Sequence, residues 1–162
     1  MNQHTRFSET QAGAIVCHDY DEQKYYRNYQ AEVDLDIISR FVDRNFCSAY
    51  PDVTIRYFAQ NWPELCIICF TDTHIPIGLI IGHQSEPHKG RITFFAVEKR
   101  VEAHLVYKRL LGLELDKMRG IGIRKVLLKP FSDSTKNKLM RYVGNAGPLR
   151  YVNEDGEFEF HI

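Results

Sequence analysis

The sequence lacks an excess of charge of either sign. Its 162 residues contain 21 Lys and Arg and 21 Asp and Glu, so the formal net charge at pH 7 is zero. Proteins that bind nucleic acid or anionic membranes through their overall field carry a marked excess of Lys and Arg. The balance excludes this class of function for the chain as a whole, and we expect neither a nucleic-acid nor a membrane partner.

Long apolar runs are also missing. No run approaches the roughly 18 apolar residues of a membrane-spanning helix, and residues 1–13 have no apolar signal-peptide core. We therefore expect a cytoplasmic protein. A chain with 44% hydrophobic and 26% charged residues is typical of a soluble globular domain. We expect a polar N-terminal extension over residues 1–25 and a single domain over residues 26–162.

Cysteine is scarce, and its spacing offers no complete metal site. Cys66 and Cys69 form a C-x-x-C pair, but zinc would need a second pair of ligands at suitable spacing. The pair lies in an apolar, strand-like run, where residues three apart point to opposite faces. Buried reduced thiols are favoured over a metal or redox pair. His83, His88 and His104 also lack a metal-site pattern, and solvated or packed imidazoles are favoured.

Hydrophobic periodicity predicts a mixed α/β domain. Apolar residues at helical spacing predict helices over residues 35–46, 53–60, 101–118 and 135–143. Apolar or alternating runs predict strands over residues 29–33, 65–70, 76–82, 91–97 and 125–129. Residues 83–90 are expected to form a loop. Residues 149–152 and 157–162 are expected to form a terminal hairpin around Asp155-Gly156.

One stretch carries a family resemblance. The run Arg56-Tyr57-Phe58-Ala59-Gln60-Asn61-Trp62-Pro63, followed by Ile75-Pro76-Ile77-Gly78-Leu79-Ile80, resembles the catalytic subunit of the N-terminal acetyltransferase NatC. The resemblance spans residue 29 to the C-terminus. It implies an α/β (α+β) domain of the GNAT acetyltransferase fold, with a mixed, mostly antiparallel central sheet flanked by helices.

The same resemblance implies an activity. A NatC-like enzyme would transfer an acetyl group from acetyl-CoA to protein N-termini or nascent chains that begin with Met and an apolar residue. It would work beside a larger auxiliary subunit. Tyr142 matches the family's tyrosine beside the thioester sulfur, which implies a general acid for the CoA thiolate. A tyrosine packed on the sheet is an equally weighted alternative for that position.

Further site residues follow from the resemblance alone. Main-chain amides of Phe95, Ala96 and Val97 would contact the pantetheine arm of acetyl-CoA. The peptide substrate would contact three side chains, those of Tyr50, Arg150 and Tyr151. No metal site is implied.

Three positions depart from the family pattern. Residues 101–107 stand where the family has its glycine-rich pyrophosphate loop, and Leu105 and Val106 are expected to resist positive φ at about 1–2 kcal/mol each. Ser48 replaces an acidic residue on the substrate side, and Lys129-Pro130 replaces a carboxylate. These departures favour the alternative of a catalytically inactive pseudo-acetyltransferase that acts as a binding or structural subunit of a complex.

A second glycine-containing run imitates the missing loop. Read alone, Arg119-Gly120-Ile121-Gly122-Ile123-Arg124 resembles an acetyl-CoA loop. It follows the predicted long helix and precedes a strand, which is the reverse of the strand-loop-helix context that the loop requires. We therefore interpret Gly120 and Gly122 as the end of the helix.

Overall fold

The computed structural model describes residues 14–45, 52–99, 103–130, 136–137, 140–141, 149–152 and 156–162. Its strands are β1 Ile15–Asp19, β2 Lys24–Asn28, β3 Cys66–Thr71, β4 Pro76–Glu86, β5 Lys89–Val97, β6 Lys125–Leu128, β7 Leu149–Val152 and β8 Phe158–His161. Its helices are α1 Leu35–Asn45, α2 Asp52–Asn61 and α3 Ala103–Gly120, and a 3₁₀ turn, Pro63–Leu65, follows α2. Among these residues, no helix has the length and apolar character needed to cross a membrane.

The strands form a single mixed sheet in the order β1-β2-β3-β4-β5-β6-β8-β7. Neighbouring strands are antiparallel except β5 and β6, which are parallel. Parallel strands need a crossover connection, and α3 provides it between β5 and β6. The mixed, mostly antiparallel sheet that the resemblance implies is therefore present.

Helices cover both faces of the sheet, so its central strands are buried on both sides. In β3, Ile67 and Cys69 belong to the apolar cluster under α3, whereas Cys66 and Ile68 belong to the cluster under α1 and α2. This explains why β3 is apolar at successive positions instead of alternating. It also confirms that Cys66 and Cys69 are buried free thiols on opposite faces.

Helix α3 lies unusually close to β4. A Cβ atom added to Gly78 would lie 2.9 Å from Val106 Cγ1 and 3.0 Å from Leu110 Cδ1. Glycine therefore permits the first half of α3 to rest directly on the sheet. The close contact fixes the start of the helix relative to the end of β5.

The end of α3 confirms the interpretation of the second glycine run. Gly122 has a φ of +91°. Its N–H donates to the Arg119 carbonyl at 3.1 Å, and the Ile123 N–H donates to the Met118 carbonyl at 3.0 Å. This pair of hydrogen bonds around a left-handed glycine is a Schellman cap. The run therefore terminates the helix, as its position between a helix and a strand predicts.

The strand predicted over residues 29–33 is wrong, because the first strands are β1 and β2. Asp34 explains the break: it accepts two hydrogen bonds from the Arg27 guanidinium and a third from the Gln30 N–H. These contacts turn the chain before α1. Strand β1 also lies within residues 1–25, the range predicted to be a polar extension of the domain. The division of the chain at residue 25 stays a prediction.

The loop predicted over residues 83–90 is also wrong. Strand β4 runs to Glu86 and β5 starts at Lys89, with His88 in the turn at a φ of +62°. The last residues of β4, Ser85 and Glu86, are exposed, so the apolar alternation ends before the strand does. The terminal hairpin of β7 and β8 is confirmed. A helix is expected over residues 135–143. Four of these residues, 136–137 and 140–141, are described, and they are helical.

Candidate functional site

The two parallel strands separate part-way along β5. Their register runs from Lys89 opposite Lys125 to Ile92 opposite Leu128, where β6 ends. Strand β5 continues to Val97. A strand directs main-chain N–H and C=O groups to both of its sides. Beyond Ile92, one side of β5 pairs with β4, and the other faces a gap in the described sheet. We call this opening the β5–β6 gap.

A β-bulge marks the start of the gap. Ile81 is paired with Phe94 and Gly82 with Ile92, so Thr93 has no counterpart in β4. An extra residue bends its strand and increases the local twist. The bulge therefore accounts physically for the divergence of β5 from β6 at this residue.

The main chain along the gap is held from both faces. Phe95 and Val97 pack in the cluster under α3, whereas Ala96 packs in the cluster under α1 and α2. The Phe95 ring makes an edge-to-face contact with Tyr107, at 5.0 Å between centroids. The structure thus brings the three predicted cofactor-contacting residues to the gap. Their contact with a cofactor stays a prediction.

Helix α3 begins at Ala103, shortly after the end of β5, and its first turn contains no acidic residue. The first four N–H groups of a helix lack intrahelical partners, and the helix dipole is positive at this end. The start of α3 is therefore suited to an anion. Glu102, an acidic residue that directly precedes Ala103 in the sequence and counts against an anion there, lies outside the described residues.

The strain expected at residues 105 and 106 is absent. Leu105 and Val106 lie within α3, and neither has a positive φ. Val106 is buried against the sheet at 1% exposure, which explains why a β-branched residue is accommodated there. The prediction that these side chains strain the loop is therefore wrong, because the helix already includes them.

A pocket of about 570 Å³ lies beside the same end of β5. Its lining comes from the end of α1, the start of β4 and the residues after β5, namely Arg44, Asn45, Ile75, Pro76, Ile77, Glu98 and Lys99. The Arg44 guanidinium lies 2.9 Å from the Glu98 carboxylate and ties α1 to the end of β5. The pocket offers apolar walls and charged groups of both signs at the end of β5.

A polar group of side chains occupies the α2 face near the bulge. His83 of β4 is paired across the strands with Arg91, and its Nδ1 lies 3.1 Å from the Thr93 hydroxyl. Arg91 in turn forms an ion pair with Glu157. The loop predicted over residues 83–90 begins at His83, and that prediction did not identify this group. Extending the predicted hairpin of β4 and β5 up to its turn would pair residue 83 with residue 91 and so would have indicated this group.

The other predicted site residues are less fully described. Tyr50 and Tyr142 lie outside the described residues. Arg150 and Tyr151 lie in β7, where Tyr151 is paired with Glu159 of β8, but their side chains are outside the description. The roles of all four residues stay predictions. Within the described ranges, no three His, Cys, Asp or Glu side chains are grouped to hold a metal ion.

Comparisons with known proteins give curated relatives of one kind. The chain is 30% identical to N-alpha-acetyltransferase 30 of Saccharomyces cerevisiae over 101 residues, which is 57% of this chain and 57% of that protein. It is 28% identical to the N-alpha-acetyltransferase MAK3 of Arabidopsis thaliana over 136 residues, which is 82% of this chain and 70% of that protein. The human N-alpha-acetyltransferase 30 is 28% identical over 141 residues, 85% of this chain.

The chain spans little more than half of the length of the yeast relative and only 37% of the human one. No protein-family model matches the chain.

Solved structures show the fold. A chain of the NatC complex bound to Gag peptide and CoA superposes with a TM-score of 0.70 at 22% identity, covering 86% of this chain and 99% of that one. Arabidopsis thaliana Naa50 with the bisubstrate analogue CoA-Ac-MVNAL gives 0.67 at 14% identity, covering 86% and 99%. A GNAT N-acetyltransferase of Escherichia coli with CoA gives 0.64 at 14% identity, covering 90% and 84%. The chain is therefore similar in sequence to N-alpha-acetyltransferase 30, the NatC catalytic subunit, as a divergent relative, and it has the fold of the GNAT acetyltransferases.

Proposed function

We propose that this protein is an N-terminal acetyltransferase, which transfers an acetyl group from acetyl-CoA to the α-amino group of protein N-termini. The observation that carries the proposal is the β5–β6 gap, which starts at a bulge and lies beside the start of α3. This combination offers strand main chain and a helix N-terminus to one extended ligand. The catalytic activity of the curated relatives supports the same reaction.

The residues around the gap fit acetyl-CoA. A pantetheine arm contains amides and can pair with a strand edge as an added strand does, and residues 95–97 offer such main chain. The pyrophosphate would lie at the amides that begin α3. Bound acetyl-CoA supplies the acetyl group to be transferred. Tyr142, by resemblance, would donate a proton to the CoA sulfur.

The acceptor side is proposed from the resemblance. The substrates would be protein N-termini that start with Met and an apolar residue, contacted by Tyr50, Arg150 and Tyr151. One similar structure is that of the NatC complex bound to a Gag peptide, and we extend a peptide substrate to this chain. A larger auxiliary subunit is proposed from the resemblance. A cytoplasmic location fits a protein that modifies nascent chains.

The competing function is an inactive acetyltransferase-like subunit. Its supporting observation is Lys129, an exposed residue that directly follows β6 where the resemblance has a carboxylate. A cation at this edge cannot accept a proton from an ammonium group. Leu105 and Val106 are helical, so backbone strain at these residues gives inactivity no support.

Calorimetric titration with acetyl-CoA and desulfo-CoA separates the two functions. We expect saturable binding in the range of about 1 μM to 1 mM that is typical of enzyme substrates. Transfer of radiolabelled acetyl to a Met-Leu-type peptide should then exceed that of a Tyr142→Phe variant. Absence of binding at millimolar acetyl-CoA would favour the inactive subunit and direct attention to its protein partners.

A further inference from the structure

His83 is held in a defined orientation beside the β5–β6 gap. Its Nδ1 lies 3.1 Å from the hydroxyl of Thr93, the bulge residue from which β5 diverges from β6. Helix α2 and the segment after it add two aromatic contacts: the rings of Phe58 and Trp62 lie 4.6 and 5.3 Å from the imidazole. One hydrogen bond and two rings thus fix the imidazole where the opening begins.

The surroundings of His83 favour the neutral imidazole. Burial lowers the pKa of His83 below its usual value, and the positive charge of Arg91 lowers it further. Among the described residues, Arg91 is the charged group that acts on His83 from β5, and it forms an ion pair with Glu157. Phe58 and Trp62, from the α2 side, carry no charge. At neutral pH the imidazole is therefore in the form that can accept a proton.

We propose that His83 is the general base that removes a proton from the α-ammonium group of the acceptor peptide, with Thr93 as its positioning residue. This inference rests on the proposed acetyltransferase function. In this assignment Nδ1–H donates to the Thr93 hydroxyl oxygen, which leaves the lone pair on Nε2. Nε2 is then the atom that accepts the proton.

The proton transfer is required by the chemistry of the acceptor. An α-amino group has a pKa of about 7.7–8.0, so at neutral pH most acceptors arrive as ammonium ions. One proton passes from the ammonium nitrogen to Nε2 and then to water, which restores the neutral imidazole. As the C–N bond forms and the C–S bond breaks, the second proton leaves the nitrogen and ends on the CoA sulfur.

This assignment accounts for two departures in the sequence. The resemblance has carboxylates where this chain has Ser48 and Lys129, so the acidic groups of the acceptor side are missing. An imidazole presented from β4 supplies a base from a different strand. The site therefore retains proton-accepting capacity without those carboxylates.

The test compares three variants. His83→Gln removes the base, and Thr93→Val removes its hydrogen-bond partner with little change of shape. His88→Gln is the matched control, because His88 lies in the turn between the same two strands and contacts the Gly122 carbonyl at 2.9 Å. The readouts are acetyl-CoA affinity by calorimetry, the pH profile of kcat with a Met-Leu-type peptide, and the imidazole pKa of His83 by NMR.

We expect His83→Gln to bind acetyl-CoA within about twofold of the wild-type affinity. Its kcat should fall about 10²- to 10⁴-fold, and the acidic limb of the profile should disappear. Thr93→Val should shift the His83 pKa and lower kcat, whereas His88→Gln should match the wild type.

An unchanged kcat and pH profile in His83→Gln would overturn the inference. The proposed function would still stand in that case, provided that the wild-type protein binds acetyl-CoA and transfers the acetyl group. A wild-type protein that binds no acetyl-CoA would overturn both. If His83→Gln does not fold, Thr93→Val decides: an unchanged kcat and pH profile, with a His83 pKa that NMR shows to be unaltered, would contradict the assignment.

Discussion

Arg27 and Asp34 form a two-pronged ion pair that anchors the start of α1 to β2. The distances are 2.6 Å from Nη1 to Oδ2 and 2.7 Å from Nη2 to Oδ1. The Asp34 side chain is fully buried, and that of Arg27 is 15% exposed. The guanidinium also lies 4.7 Å from the centroid of the Phe70 ring. This pair fixes the chain between sheet and helix, where the sequence had predicted a strand.

Removal of one member of this pair should strongly destabilise the protein. Asp34→Ala leaves the Arg27 charge without its buried partner, a change that typically costs about 3–5 kcal/mol. Chemical denaturation of the variant measures the loss. Glu32→Ala is the control, because its ion pair with Arg56 at 3.3 Å is exposed and should contribute about 0–1 kcal/mol. Equal effects of the two substitutions would contradict the structural role of Asp34.

Glu114 should make the protein less stable as the pH rises. Its carboxyl group is fully buried under α3, and neither oxygen has a hydrogen-bond partner among the described residues. Burial raises the pKa of Glu114 well above its usual value, the nearby Glu64 raises it further, and Lys117 lowers it in part. The folded state therefore keeps a proton that the unfolded chain releases above about pH 4.3. Between these two pKa values the free energy of unfolding falls by about 1.4 kcal/mol per pH unit.

Glu114→Gln tests this dependence, because the amide does not ionise. We expect the variant to be more stable than the wild type at pH 7, with the difference vanishing below about pH 4. Thermal and urea unfolding at several pH values measure it. Asp116→Asn, an exposed position on the same helix, should change stability by less than about 0.5 kcal/mol. A stability difference for Glu114→Gln that does not vary with pH would refute the neutral carboxyl.

Two glycines should respond in opposite ways to alanine. At Gly78 a Cβ would collide with Val106, whereas at Gly112, within α3, nothing lies within 4 Å of an added Cβ. Gly78→Ala should cost about 1–3 kcal/mol through overpacking. Gly112→Ala should gain about 0.5–1 kcal/mol from helix propensity. Gly78→Ala should cost less stability in a Val106→Ala background than in the wild type, because the smaller side chain leaves room for the added Cβ. Equal costs in the two backgrounds would argue against the close contact.

The buried thiols should resist modification. Burial raises the pKa of Cys66 far above its usual value and that of Cys69 to about 12. Because the thiolate is the reactive form, both should alkylate slowly at pH 8. Among the three cysteines in the described residues, Cys17 is partly exposed and should react first. Mass spectrometry of iodoacetamide-treated native protein, with denatured protein as the control, measures the order. Early labelling of Cys66 would show that β3 is less protected than the structure indicates.

Several elements could be predicted from local pattern. Helical spacing of apolar residues identified α1 and α2 to within a residue or two, because each buries one stripe on the sheet. The continuous apolar run identified β3. The glycines after Met118 identified the end of α3, since a left-handed cap depends on residues adjacent in sequence. The resemblance supplied the fold name, which periodicity alone could not.

The sequence by itself determined where apolar stripes, caps and tight turns occur, because these depend on neighbours along the chain. Only the tertiary structure decided which strand residues face each other. The bulge at Thr93, the divergence of β5 from β6, and the pairing of His83 with Arg91 depend on strands whose register is set by distant packing. The burial of Glu114 also depends on the tertiary structure. A glutamate in a helix is usually exposed, and this one is buried because its face of α3 packs on the sheet.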